Sequence, residues 1–101
     1  MANVAELYMR ALQYAIAKGF SAKDDVCEWH LGGYRWFFNG KRETTDGVPF
    51  AHLAVFNAGG LPVALMNPRG GNVIGELDVE GRLIAMLKAE NPGETGAAKG
   101  A

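Results

Sequence analysis

The sequence predicts a single α+β domain, in which a helix at each end of the chain packs on one face of an antiparallel sheet. Three observations predict this fold class: a helical pattern of apolar residues near the N-terminus, short apolar runs separated by glycine turns in the middle, and a second helical pattern near the C-terminus. The connections between the runs are too short for parallel crossovers, so we expect about four antiparallel strands. We predict a domain over residues 1–91 and a flexible tail over 92–101, which has no apolar periodicity.

The first helix is predicted over about residues 4–18, where apolar residues recur at intervals of three and four. At its start, Asn3 and Glu6 have the spacing of a capping box, whose side chains accept hydrogen bonds from backbone N–H groups. At its end, Gly19 is typical of a left-handed stop, and Phe20 follows where a Schellman motif places its apolar contact. Both ends of this helix are therefore predicted from local sequence.

The middle of the chain alternates between strand-like runs and turn signals. Strands are predicted over about residues 26–31, 34–38, 50–57 and 61–66. Turns are predicted at Gly32-Gly33, Asn39-Gly40, Asp46-Gly47 and Gly59-Gly60. Asn39-Gly40 gives the strongest hairpin signal, because a type I′ turn needs two residues that tolerate positive φ. The segment NPRGGN at 67–72 is interpreted as a loop, with a short strand at about 73–76 after it.

A second helix is predicted over about residues 79–90, with Asp78 as its cap. Its buried face is predicted to carry Val79, Leu83, Met86 and Leu87. Gly81 weakens this helix by about 1 kcal/mol relative to alanine. A hairpin that turns at Glu80-Gly81 is therefore an alternative.

Composition and charge restrict the classes of partner and compartment. Ten basic and eleven acidic side chains nearly cancel, so the chain lacks the excess positive charge that drives nonspecific binding to nucleic acid, and little self-repulsion opposes a homodimer. Cys27 is the only cysteine, which excludes an intrachain disulfide and is typical of a cytoplasmic protein. No apolar run approaches the ~20 residues of a membrane span, and the N-terminus lacks the basic start of a signal peptide. We expect a cytoplasmic protein that does not contact membranes.

Residues with catalytic or metal-binding chemistry are few and poorly arranged. Cys27 could act as a nucleophile with His30 or His52 as its base, but Cys27 and His30 are three apart and would lie on opposite faces of a strand. The same three residues with Asp24 or Asp25 could supply four metal ligands, yet the paired spacing of a structural zinc site is absent. We predict no catalytic residue, no metal and no cofactor.

The stretch YRWFFNGKR, residues 34–42, concentrates aromatic and basic side chains. On a strand, one face would carry Tyr34, Trp36 and Phe38, and the bulk of these rings favours that face as the core. Arg35 and Phe37 would lie on the other face. We predict a binding surface made of these two residues, their basic neighbours after the turn and a basic residue from the glycine loop: Arg35, Phe37, Lys41, Arg42 and Arg69.

Exposed aromatics among basic groups are typical both of protein interfaces and of surfaces that stack nucleotide bases. Glu43 and Asp46 offset much of the local positive charge, so we favour a protein partner over nucleic acid. In the absence of a catalytic constellation, we expect a small non-catalytic protein-binding module.

In size and in its helix–sheet–helix build, the chain resembles small proteins encoded by phages and mobile elements, including the anti-CRISPR proteins that block host defence complexes by binding them. The resemblance implies an inhibitor of a host defence complex; it carries no motif and assigns no residue. Two alternatives stay open. One is a small nucleic-acid-binding protein that uses an aromatic-basic hairpin, and the other is a ligand-binding or enzymatic domain with a pocket between the sheet and the helices.

Overall fold

A computed structural model describes residues 4–21, 25–40, 51–74 and 78–90, together with the backbone of 44–45 and 48–49. The described part contains two helices, α1 (Val4–Ala17) and α2 (Val79–Glu90). Its strands are β1 (Val26–Leu31), β2 (Tyr34–Asn39), β3 (Thr44–Thr45), β4 (Val48–Pro49), β5 (His52–Phe56), β6 (Pro62–Asn67) and β7 (Gly70–Val73). Asn3 of the predicted capping box and the predicted tail over 92–101 lie outside the described residues. In the part of the chain that the structure describes, neither helix has the length and hydropathy to cross a membrane.

The main sheet has five strands in the order β1-β2-β5-β6-β7, and all neighbouring strands are antiparallel. β3 and β4 form a separate pair between β2 and β5 in the chain, with Thr45 opposite Val48. The helices pack against each other on one side of the sheet, where α1 also contacts β6 and β7. The predicted α+β class and both predicted helices are confirmed, and the main sheet has five strands where about four were expected, the fifth lying near the short strand predicted at about 73–76.

The predicted loop over residues 67–72 is wrong for most of its length. Asn67 pairs with Gly70, so the turn consists of two residues, and the Arg69 N–H donates to the side-chain oxygen of Asn67 at 2.8 Å. The following glycines form an edge strand that lies close against β6, where a Cβ on Gly71 would come within 2.3 Å of the Met66 Cβ. The last strand therefore starts at residue 70, three residues earlier than predicted.

The tight hairpin turn predicted at Asn39-Gly40 is also wrong. β1 and β2 are joined instead by a turn at Gly32-Gly33, whose φ angles of 64° and 83° match a type I′ turn. A turn at 39–40 would pair Phe38 with residue 41, but Phe38 already lies between Cys27 of β1 and Leu53 of β5. Because β2 has a partner on both sides, the local turn propensity of Asn-Gly cannot form a hairpin there.

The C-terminus of α1 ends in the predicted Schellman motif. The Phe20 N–H donates to the Ala15 carbonyl at 3.0 Å, and the Gly19 N–H donates to the Ile16 carbonyl at 2.9 Å. Gly19 has a φ of 101°, in the left-handed region that favours glycine. The motif turns Phe20 into the core, where its ring stacks on Phe38 at a centroid distance of 5.3 Å.

α2 begins after Asp78, as predicted, and the alternative hairpin at Glu80-Gly81 is wrong. The Asp78 carbonyl accepts a hydrogen bond from the Arg82 N–H at 3.3 Å. The Asp78 carboxylate lies beside Gly81, where a Cβ would come within 2.9 Å of its Oδ1. The glycine that lowers helix propensity therefore leaves room for the carboxylate at the first turn.

The core lies between the helices and one face of the sheet, and aromatic rings dominate it. Trp36 and Phe38 are fully buried, as strand alternation predicts. Trp36 stacks on Trp29 at 5.6 Å, and Tyr8 meets Phe38 edge-on at 5.6 Å. The Tyr8 hydroxyl donates to the Ala51 carbonyl at 2.8 Å, which ties α1 to the chain that enters β5. Packed side chains of the described residues therefore occupy most of the space between the sheet and the helices.

Candidate functional site

The side of the sheet opposite the helices carries a mixed aromatic and polar surface, which we call the open face. Strand alternation and pairing register assign its side chains. They are Val26, Glu28, His30, Arg35, Phe37, Asn39, His52, Ala54, Phe56, Leu65, Asn67 and Asn72. All of these are exposed or half-buried, whereas Trp36 and Val55 on the helix side are fully buried. The open face is therefore a sheet surface that a ligand or partner can reach.

Phe37 lies near the centre of the open face. It pairs with Glu28 on β1 and with Ala54 on β5, and Ala54 pairs in turn with Leu65 on β6. Leu65 is 42% exposed, and the small Ala54 between the two larger side chains leaves a low point in the surface. An apolar centre with polar groups around it is the usual anatomy of a protein interface.

Arg35 on β2 contacts a side chain on each of the two neighbouring strands, β1 and β5. Its Nη1 lies 3.1 Å from the Glu28 Oε2 on β1, and its Cζ lies 4.7 Å from the centroid of the Phe56 ring on β5. The Arg35 and Glu28 side chains are both 42% exposed, so this ion pair contributes only about 0–1 kcal/mol to folding. The two contacts nevertheless fix the position of the guanidinium, and the carboxylate offsets its charge.

A shallow depression of about 310 Å³ opens on the open face toward β7. Its apolar lining includes Ala54 and Leu65, and its polar lining includes His52, Asn67 and Asn72. β7 contributes two glycines, which leave the space beside these residues unfilled. A lining of this kind can hold a partner's side chain that has an apolar body and a polar end.

The structure brings two of the five predicted binding residues together, since Arg35 and Phe37 both project from the open face of β2. Lys41 and Arg42 lie outside the described residues. Arg69 lies in the turn between β6 and β7, about 20 Å from Arg35 by the usual spacing of strands and of residues along them. It borders a cavity of about 150 Å³ between this turn and α1. Arg69 would therefore contact only a partner that extends over this distance.

The residues considered for nucleophilic and metal chemistry are divided between the two faces of the sheet. Cys27 lies on the helix side of β1, whereas His30 and His52 lie on the open face. Burial raises the pKa of the Cys27 thiol, which lowers the fraction of reactive thiolate. Asp24, a candidate metal ligand, lies outside the described residues. Within the described ranges, no three His, Cys, Asp or Glu side chains are grouped as a metal site would require.

The sequence pattern did not single out His52, Phe56 and Leu65 as members of a surface. The run 50–57 is mostly apolar on both faces, which is typical of a central strand, and β5 is the middle strand of the main sheet. Only one face of it is covered, however. The signal was the polar His52, which shares its face with Phe56 and marks that face as the exposed one.

Comparisons with known proteins give no relative. No protein family matches the chain, and no curated protein or solved structure matches it. The function is therefore argued from the geometry of the open face.

Proposed function

We propose that this chain is a small protein-binding module and that the open face is its binding surface. The main support is that Phe37 and Phe56 place two large rings on adjacent strands, on the face of the sheet that the helices do not cover. Removing the apolar surface of these rings from water favours a complex by about 25 cal/mol per Å², and the loss of freedom on association offsets part of this gain. Arg35, held against the Phe56 ring, adds the residue type that accompanies aromatic rings in interface hot spots.

The charges of the open face favour a protein partner over nucleic acid. Among the described residues of this face, Glu28 and Arg35 are the only side chains of the Asp, Glu, Lys and Arg types, and they pair with each other. Surfaces that hold single-stranded nucleic acid combine stacking rings with positive charges that track the phosphates. The open face has the rings, but its carboxylate offsets the guanidinium.

The size of the open face is consistent with a module that blocks a surface of its partner. Five strands of about five residues cover on the order of 500 Å², which is at the small end for specific interfaces. A contact of this size can cover one functional site on the surface of a host defence complex. We propose this role, which the resemblance to phage and mobile-element proteins implies.

Affinity capture with matched variants tests the proposal. The tagged chain is used to capture proteins from a lysate of its host, and bound proteins are quantified by mass spectrometry. Phe37→Ser should remove the specific partner, because it takes the central ring from the open face. Ile16→Ser is the control, since Ile16 is 55% exposed on α1, on the other side of the sheet. Equal capture by parent and Phe37→Ser, with both folded by circular dichroism, would contradict the proposal.

A second pair of measurements distinguishes a protein partner from a nucleic-acid partner. Lys41→Glu with Arg42→Glu reverses two charges that follow β2 in the chain. If the partner is an acidic protein surface, this variant should lose capture, and nuclease treatment of the lysate should have no effect. If the partner is nucleic acid, nuclease should remove it, and the variant should bind a single-stranded oligonucleotide with a flatter salt dependence than the parent.

A further inference from the structure

β1 forms one edge of the main sheet and has backbone groups that point away from it. In a hairpin with a two-residue turn, the residues that flank the turn form a hydrogen-bonded pair, and the pair types alternate from there. Leu31 and Tyr34 flank the turn, and at the far end the Gly40 N–H donates to the Asp25 carbonyl at 2.8 Å, as this alternation requires. The residues whose N–H and C=O groups point outward are therefore Val26, Glu28 and His30.

Of the backbone N–H groups that point outward from β1, the one at the start of the strand has a hydrogen-bond partner and the two in its middle have none among the described residues. The Val26 N–H donates to the Asp25 Oδ1 at 2.8 Å. Among the described residues, no hydrogen bond reaches the N–H of Glu28 or of His30. β1 is regular over six residues and contains no proline, lysine or bulge, which are common protections of an edge strand. Two adjacent outward positions are therefore available for pairing.

We propose that two copies of this chain associate through their β1 edges, antiparallel, with Trp29 of each copy at the two-fold axis. In this register Glu28 of one copy pairs with His30 of the second copy on the open-face side. Cys27 of one copy pairs with Leu31 of the second on the helix side. This self-association goes beyond the proposed binding of a partner protein and does not depend on it.

Side-chain chemistry selects this register over its neighbours. A histidine ring has at least one N–H donor in either protonation state, so it can donate to the Glu28 carboxylate. A shift that places Glu28 opposite itself would bring two carboxylates together and would also use the Val26 N–H, which Asp25 already holds. The opposite shift would place His30 opposite itself and leave Glu28 facing a glycine of the turn.

The association would join two five-stranded sheets into one of ten strands, with both open faces on the same side. A dimer would then present two copies of the binding surface to a partner, which raises avidity if the partner is itself repeated. The contact along a single strand edge is smaller than a standard interface of about 1,600 Å². We therefore expect the dimer to have a dissociation constant roughly in the micromolar range.

Sedimentation velocity over a concentration series tests the dimer. The parent should shift from monomer to dimer as its concentration rises through the micromolar range. His30→Glu should abolish the dimer, because it places two carboxylates opposite each other at two symmetric positions. His52→Glu is the control, since it makes the same change on the same face of the central strand β5 and should still dimerise. A parent that stays monomeric throughout, or a dimer that His30→Glu does not weaken, would overturn the proposal.

A crosslink tests the register independently. Leu31→Cys should form a covalent dimer on mild oxidation, because position 31 of one copy faces Cys27 of the other. Within one chain the two positions are four residues apart on a strand, about 13 Å, which is too far for a disulfide. Leu31→Cys combined with Cys27→Ser should give no crosslink. A crosslink of equal yield in that double variant would contradict the register. Neither measurement uses a partner protein, so their outcome is separate from that of the capture experiment.

Discussion

Phe37 and Phe38 are adjacent in sequence and lie on opposite faces of β2, so they report on the two sides of the sheet. Phe38 is fully buried and contacts the rings of Tyr8 and Phe20, whereas Phe37 is half-buried on the open face. Phe38→Ala should lower the free energy of unfolding by about 3–5 kcal/mol through the lost contacts and the cavity. Phe37→Ala should lower it by less than half as much. Urea unfolding of both variants checks this, and equal losses would mean that the open face is covered.

The β1–β2 turn and α2 approach each other closely at Gly32. A Cβ there would lie 2.3 Å from the Met86 Sδ, while a Cβ on Gly33 would have no atom within 4 Å. Both glycines have positive φ, so Gly33→Ala should cost about 1–2 kcal/mol of backbone strain, and Gly32→Ala should cost slightly more because the flexible end of Met86 must also shift. Urea unfolding measures both losses. Met86→Ala should remove the additional loss in a double-mutant cycle, and simple additivity would contradict the contact.

Elements whose signals are local could be predicted from the sequence. α1 ends where Gly19 and Phe20 indicate, because every hydrogen bond of a Schellman motif joins residues within five positions of each other. The alternation in β2 likewise assigned Arg35 and Phe37 to one face and the core rings to the other. That face could be identified as the candidate site without the structure.

Elements that depend on their neighbours could not be predicted in the same way. Asn39-Gly40 has the composition of a tight turn, but β2 is paired on both sides, a property that no local pattern reports. Gly70 and Gly71 have low strand propensity, yet they form β7 because the absence of side chains lets it lie close against β6. The contribution of Phe56 to the site also required the register between β2 and β5.

The folded protein should become less stable at alkaline pH. Burial raises the pKa of Tyr8 and of Cys27 above their usual values of 10.0 and 9.0. The folded state therefore holds these protons at pH values where the unfolded chain releases them. The free energy of unfolding should be constant near neutral pH and fall as the pH rises above about 9.

Urea unfolding at a series of pH values measures this decline. Cys27→Ser should remove the part of the decline that begins near pH 9. The part that Tyr8 contributes, which begins near pH 10, should remain. Stability that stays constant or rises between pH 9 and 11 would show that these groups are not buried in the folded state as described.

We propose that the open face of the sheet, and not the helical side, contacts the partner. Hydroxyl-radical footprinting of the chain, alone and in its captured complex, tests it most directly, because oxidation reports side-chain exposure residue by residue. Binding should slow the oxidation of Phe37 and Phe56 and should leave that of Met9, which is 50% exposed on α1, unchanged. Protection of Met9 without protection of Phe37 and Phe56 would contradict the proposal.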